Sequence, residues 1–285
     1  MFDERYLILG LDALCRAHQT DYFADGHRGA AIISAYYLCQ ENEVEDGVPE
    51  IIQEMIDSHW THTPLCQPFP DEAADPSLLP TVLETMEQNI AGLRQVGHNV
   101  IFPSLALRVF RDLPETITPS RVAGLRRLIE CFSSVDDITV TDEDSIPRLG
   151  ASEEVAELVL AELLDTMQAF VGRGQGWSGH LLTYSRALLD LRAMGYDRVV
   201  QAGEEGFRVY LKRIRMGPGE RDRVFNEHPD TPLRPLERAY WERRSQGSAA
   251  LGHVFKYPYG FYGLMDLAQD AGLKQQCLDA TFRIF

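Results

Sequence analysis

Residues 97–110 read GHNVIFPSLALRVF, a Gly-His pair followed by an apolar, leucine-bearing run, and this pattern recurs. It heads three other stretches: GHRGAAIISAYYL from Gly26, GHLLTYSRALLDL from Gly179 and GHVFKYPYGFYGLMDL from Gly252. With 22 glycines and 8 histidines in 285 residues, chance predicts about 0.6 such pairs, whereas four occur. Their histidines, His27, His98, His180 and His253, are spaced by 71, 82 and 73 residues, so the excess is also periodic. Self-similarity at a long, near-constant period marks a repeat architecture. Four residues after the histidine stands an aromatic in three copies (Phe102, Tyr184, Tyr257) and Ala31 in the first.

The flanks of each pair have the same plan. Before it comes a segment with apolar residues every three or four positions: DERYLILGLDALCRAH, LLPTVLETMEQNIAGLRQ, SEEVAELVLAELLDTMQAFV or LRPLERAYWERRSQ. After it comes another: VPEIIQEMIDSHW, PSRVAGLRRLIECF, YDRVVQAGEEGFRVYLKRI or LKQQCLDATFRIF. That spacing is the mark of amphipathic helices. Pro49, Thr118-Pro119, Ser152 and Pro235 supply helix-start signals. The reading is therefore an all-α chain of four three-helix repeats, at about 1–63, 78–133, 152–214 and 233–285, forming one domain. Polar, Pro-rich and acidic connections separate the units, and no stretch reads as a strand. The last unit is the most aromatic, and the chain ends on Phe282, Ile284 and Phe285. An open solenoid needs polar caps, so closure of unit four onto unit one, as an α/α toroid, is expected.

Composition narrows the function. The chain is 45% hydrophobic with a formal net charge of −16. So acidic a surface repels phosphate backbones and anionic lipids, which disfavours nucleic-acid and membrane partners. No apolar run approaches the roughly 20 residues of a membrane span. The start, MFDERYLILG, lacks the basic region of a signal peptide, and five scattered cysteines without a C-x-x-C read as reduced thiols. A cytoplasmic protein with a small-molecule substrate is expected.

Closure would bring the four histidines around one opening. Neighbouring helices about 8–10 Å apart place opposite axes roughly 14 Å apart, near enough for imidazoles to share a ligand or metal. His98, His180 and His253 are the candidate catalytic residues, all four histidines the candidate ligands of iron or another divalent metal, and Phe102, Tyr184 and Tyr257 the candidate substrate-binding residues. Pro103 and Pro258 imply that their helices start near Ile101 and Lys256 or are kinked, which puts the imidazole near a helix N-terminus and disfavours its charged form. The same histidines also suit a purely structural role, bonding a carbonyl of the preceding turn at a tight glycine corner. Other candidates are weaker. His59 and His62 read as a helix-end surface pair, the acidic run Asp136 to Asp144 as a solvated loop, and the glycines 172, 174 and 176 follow a helix, which is the wrong context for a dinucleotide loop.

The order of histidine-headed apolar helices, with Lys256 three residues after His253, resembles the questin oxidase-like family, although that family more often has His-Gly than Gly-His in its first motifs. The resemblance spans most of the chain. It implies an all-helical oxidoreductase that uses oxygen on polycyclic aromatic substrates with an external reductant such as NADPH. Two other readings stand beside it: a histidine-based hydrolase or cyclase, and a non-catalytic helical-repeat binding protein.

Overall fold

The computed structural model describes residues 2–222 and 232–280, and every regular element among them is helical. The first four α-helices among the described residues are α1 (Arg5–Ala17), α2 (Tyr22–Glu41), α3 (Val48–Ile56) and α4 (Leu79–Ile90). Then come α5 (His98–Asp112), α6 (Pro119–Cys131), α7 (Ser152–Phe170) and α8 (Gln175–Ala193). The last four are α9 (Asp197–Arg215), α10 (Arg238–Arg244), α11 (His253–Leu267) and α12 (Ala271–Ala280). Residues 223–231 of the connection 215–232 and the terminal Phe282, Ile284 and Phe285 lie outside the described residues. No described helix is long and apolar enough to cross a membrane.

Local chemistry sets the helix starts. The Asp21 carboxylate accepts from the amides of Phe23 and Ala24 and caps α2. Pro49 and Pro119 sit in the first turns of α3 and α6, where a missing N–H costs nothing. Three expected starts move. α10 begins at Arg238 rather than near Leu233, because the Pro235 carbonyl is held by the Trp241 indole N–H at 2.7 Å in a turn ahead of the helix. α5 and α11 begin at the histidines themselves, three residues earlier than Ile101 and Lys256, so Pro103 and Pro258 lie inside them. Gly97 (φ 86°) and Gly252 (φ 75°) take the left-handed conformation just before, which swings the chain into the helix.

The helices divide by burial. Every residue from His98 to Phe110 of α5 and from His253 to Met265 of α11 is buried. A helix that is apolar all round belongs in a core. α9, by contrast, buries one stripe (Val199, Val200, Phe207, Tyr210, Leu211, Ile214) and turns Arg198, Glu205 and Arg215 outward. α2 packs on α5 and α11, and α8 packs on the same two, so these four helices form the inner layer. Outside it the pairings are α1 on α6, α4 on α9, α7 on α12 and α10 on α3. The last joins the end of the chain to its beginning, helped by the Glu45 amide donating to the Leu236 carbonyl at 3.0 Å.

At one end of the inner layer lies an ion network centred on the buried Arg108. Arg108 pairs with Glu41 and lies 3.5 Å from Asp190, while its Nη1 donates to the Tyr259 hydroxyl at 2.8 Å. Arg186 Nε pairs with Asp190 at 2.8 Å, and the Tyr37 ring lies 3.6 Å from the Arg108 guanidinium carbon. One residue or more from each inner helix takes part, and the cationic and anionic side chains balance. Buried charges persist only when paired in this way.

Candidate functional site

Near the opposite end of α2, α5, α8 and α11 the four Gly-His imidazoles meet. Their ring centroids are 4.2 Å (His27–His98), 4.4 Å (His98–His180), 4.9 Å (His180–His253) and 5.2 Å (His253–His27) apart, and the His27–His180 diagonal is 5.7 Å. The rings touch one another, a closer convergence than the helix spacing alone requires. All four are buried.

Each of three rings is anchored by the same nitrogen. His27 Nδ1 donates to the Phe23 carbonyl and His180 Nδ1 to the Gly176 carbonyl, both at 2.6 Å, and His98 Nδ1 donates to the Gln95 carbonyl. A carbonyl only accepts, so with these bonds made Nδ1 carries the proton and Nε2 is left with a lone pair. The Nε2 atoms of His98 and His180 lie 2.9 Å apart. Ligand atoms of His27, His98 and His180 all fall within 4.8 Å of one another. Two lone pairs at hydrogen-bond distance repel, and the contact is relieved either by a cation between them or by the other neutral tautomer of His180, in which Nε2–H donates to His98 Nε2 and Nδ1 accepts from the Tyr257 hydroxyl. An added proton is disfavoured there. Burial pushes His27, His98 and His180 well below the ordinary imidazole range, and the Lys256 ammonium and the other imidazoles add to the push. A metal ion meets no such objection from desolvation of the ligands. With M–N bonds of about 2.1 Å, adjacent nitrogens on an octahedral ion stand roughly 3.0 Å apart and on a tetrahedral ion roughly 3.4 Å. The spacing of His98 and His180 suits the former. Nδ1 bonds to backbone oxygens are the usual outer support of imidazole ligands.

An aromatic wall surrounds the cluster. Phe102 meets His98 and His27 edge-on at 4.9 and 5.3 Å, and Tyr257 stacks on His253 at 4.8 Å with its hydroxyl 3.1 Å from His180 Nδ1. Phe23, which sequence reasoning missed, meets His27 and His98 at 4.4 and 4.9 Å. Its only signal is that it precedes His27 by four residues. Tyr184 packs instead against Tyr210, at 5.2 Å. Lys256 is fully buried and lies 5.8 Å from the centre of the Phe102 ring.

The residue four after each histidine has a common placement. A Cβ on Gly26 would overlap the Phe102 ring, one on Gly97 the Tyr184 ring and one on Gly179 the Tyr257 ring. On Gly252 it would overlap Ala31, with the Trp60 indole beside it. Each glycine is thus the seat of the next stretch's fourth residue, and the first stretch serves the last. Trp60, from the turn after α3, fills space beside Ala31 that an aromatic occupies elsewhere. The corner before His98 is strained as well. Gln95 and Val96 take φ values of 44° and 61°, and a β-branched residue in that region is an outlier. Such strain gathers at functional sites.

One cleft reaches the cluster at His253 and a second adjoins it. An inner one of about 260 Å³ is lined by His253, Val254, Met55, Arg243 and Arg244. An outer one of about 940 Å³ is lined by Trp60, Arg16 and Arg28 among others, and shares Ser248, Ala250 and Leu251 with the inner one. Of the weaker candidates, Gly176 joins the site through the carbonyl that holds His180 Nδ1, and His59 lines the outer cleft. His59 bonds the Met55 carbonyl and His62 the Asp57 carbonyl at a helix end, and Asp144 pairs with Lys212 at 2.8 Å. Compared with family models, with curated proteins and with solved structures, the chain matches none.

Proposed function

We propose that this chain is a metal-dependent oxidoreductase acting on an apolar or aromatic small molecule, with iron or another divalent ion held by His27, His98 and His180. The observation that carries the reading is the convergence of ligand atoms of three buried histidines within 4.8 Å, in rings whose Nδ1 atoms are bonded to backbone oxygens. Imidazole ligands suit iron, copper, nickel and zinc. A redox-active member of that set, iron or copper, would supply electron transfer and activation of oxygen if bound. The protein's own part is to hold the three ligands in one tautomer, to exclude water with Phe23 and Phe102, and to present the substrate at His253. That histidine lines the inner cleft and is the residue placed to take or give the substrate's proton. Phe102 and Tyr257 supply the apolar surface at this level; Tyr184 stiffens the helices behind it.

The architecture that goes with this reading is a closed α/α toroid of four three-helix repeats. The outer pairings, each first helix on the third helix of the next unit with α10 returning to α3, support it. So does the cyclic seating of residues 31, 102, 184 and 257 on the preceding glycines. An oxygen-dependent activity with an external reductant such as NADPH, as the questin oxidase-like resemblance implies, fits a site without a resident organic cofactor. The competing account, in which the histidines are corner pieces of a binding scaffold, has one observation in its favour: each Nδ1 satisfies a buried carbonyl.

Titration of chelator-treated protein with Co(II) separates the two. The enzyme reading expects one ion per chain, visible d–d absorption with nitrogen ligation, and loss of both in His98→Ala and His180→Ala. Oxygen uptake by iron-loaded protein, measured over a panel of hydroxylated aromatics with NADPH, tests the reaction. Absence of stoichiometric cobalt or iron binding by the intact chain would leave the scaffold account standing alone.

A further inference from the structure

The three candidate ligands do not share one environment at Nδ1. His27 Nδ1 has the Phe23 carbonyl at 2.6 Å and His98 Nδ1 the Gln95 carbonyl, and among the described residues neither nitrogen meets a hydroxyl. Their protons are fixed there, because a carbonyl can only accept. His180 Nδ1 has the Gly176 carbonyl at 2.6 Å and, in addition, the Tyr257 hydroxyl at 3.1 Å. A hydroxyl can accept or donate, so of the three rings this one has a partner at Nδ1 for either neutral form.

The repeat makes the difference visible. Phe102 sits on Gly26 as Tyr257 sits on Gly179, and each ring meets the histidine that follows its glycine edge-on, at 5.3 and 5.1 Å. Of these two copies, the later one brings a hydroxyl to the seat. The Tyr257 ring is held from two sides, by its close approach to Gly179 and by stacking on His253 at 4.8 Å, so its oxygen has a fixed aim.

Without an ion the two forms of His180 are unequal. With the proton on Nδ1, the ring donates to Gly176 and opposes its Nε2 lone pair to that of His98, 2.9 Å away. With the proton on Nε2, the ring donates to His98 Nε2 and accepts from Tyr257, and the opposed lone pairs are those of Nδ1 and the Gly176 oxygen. The second form makes two bonds to the first form's one. It does not strand the Gly176 carbonyl either, because Gly176 lies inside α8, whose own pattern pairs that carbonyl with the His180 amide.

We propose that Tyr257 is a positioning residue that holds His180 in the Nε2–H form in the metal-free protein, and so sets how readily the three-histidine site takes up a divalent cation. The inference deepens the metal reading and rests on it for what the site takes. On ligation His180 Nε2 gives up one proton and Nδ1 takes one, so the ring stays neutral. Gly176 then accepts from Nδ1–H, and the Tyr257 oxygen turns from donor to acceptor. A site that is competent for only a fraction of the time has its apparent affinity lowered by that fraction.

Nitrogen-15 labelling of the histidines in the full chain, held in chelator, reads the tautomer, since the protonated and bare nitrogens of a neutral imidazole resonate far apart. Loss of its signals in His180→Ala identifies the ring. The wild type is expected to carry the His180 proton on Nε2, with a nitrogen–nitrogen coupling across the bond to His98. Tyr257→Phe keeps the ring on Gly179 and against His253 and removes the hydroxyl alone. Its His180 should move to the Nδ1–H form, lose the coupling, and bind Co(II) at least threefold more tightly. A proton on Nδ1 in the metal-free wild type, an Nε2–H form that survives Tyr257→Phe, or a cobalt affinity that does not rise in the variant each overturns the proposal. Failure of the wild type to bind cobalt overturns the metal reading and with it the control of ion uptake, while the tautomer in the same spectra stands or falls by itself.

Discussion

His98 and His180 bring their Nε2 atoms to 2.9 Å, with a carbonyl at each Nδ1. In the metal-free protein either the two lone pairs repel or the other His180 tautomer bridges them, and an ion takes the place of either arrangement. A metal ion at a hundredfold its Kd should stabilise the wild type by about 2.7 kcal/mol, and His98→Ala should lose that increment. His98→Ala should also lose stability in chelator, by about 1–3 kcal/mol, because the Gln95 carbonyl is left without its partner. Melting curves with and without Co(II) read both effects; an equal increment in the variant would place the ion elsewhere. Acid should act through the same rings. Burial first, then Lys256 and the other imidazoles, hold His27, His98 and His180 well below their unfolded value near 6.5. Below that pH the unfolded chain binds more protons than the folded one. The stability these neutral rings contribute is present above pH 6.5 and is lost as pH falls, by about 1.4 kcal/mol per pH unit for each ring. Urea midpoints measured in chelator from pH 7.5 to 5.5 should decline; a flat profile would mean the rings are charged when folded. The four histidines were legible in the sequence because their glycines repeat. Phe23 was not, since it enters through a carbonyl and an edge contact that no pattern announces.

Among the elements, α2 and α8 run through their Gly-His pairs, whereas α5 and α11 start at theirs. Gly26 and Gly179 therefore sit inside helices, where alanine would ordinarily gain up to about 1 kcal/mol. Here the sign reverses. A methyl on Gly179 would overlap the Tyr257 ring, and one on Gly26 the Phe102 ring. Gly179→Ala should cost about 1–3 kcal/mol as an overpacked core does, and adding Tyr257→Leu should recover part of it. Additive losses in the double variant, read by chemical denaturation, would show that the ring and the glycine are not coupled. The helical periods were readable from apolar spacing, and so was the burial of the middle segments. The starts of α5 and α11 were not, because the expectation weighed Pro103 and Pro258 as helix-openers. The left-handed turns at Gly97 and Gly252 had already opened the helices, leaving each proline to replace one backbone bond inside.

For the whole molecule, the histidine cluster and the Arg108 network occupy opposite ends of the inner helices. His98 and Arg108 are ten residues apart, roughly 15 Å along α5. Arg108→Ala leaves Glu41 and Asp190 to share Arg186 and should cost about 1–3 kcal/mol, while cobalt affinity stays within a few-fold of the wild type. Loss of metal binding in that variant would mean that the two ends are coupled. Wild type and variant alike should unfold in one transition by circular dichroism, since α10 on α3 leaves no independent end among the described helices. The network was invisible in the sequence. A single Arg or Asp near the end of an apolar helix reads as a side chain reaching for water, and only the meeting of four helices gives it partners. Trp60, likewise, reads only as the end of the first repeat's third segment. Its indole presses on Gly252, where the last stretch meets the first, and also walls the outer cleft. One surface thus serves as clasp and as wall. Pulled by its two termini, the molecule should give way first between α3 and α10. A ligand seated against Trp60 should raise the force needed, so that occupancy is felt as mechanical strength at the join.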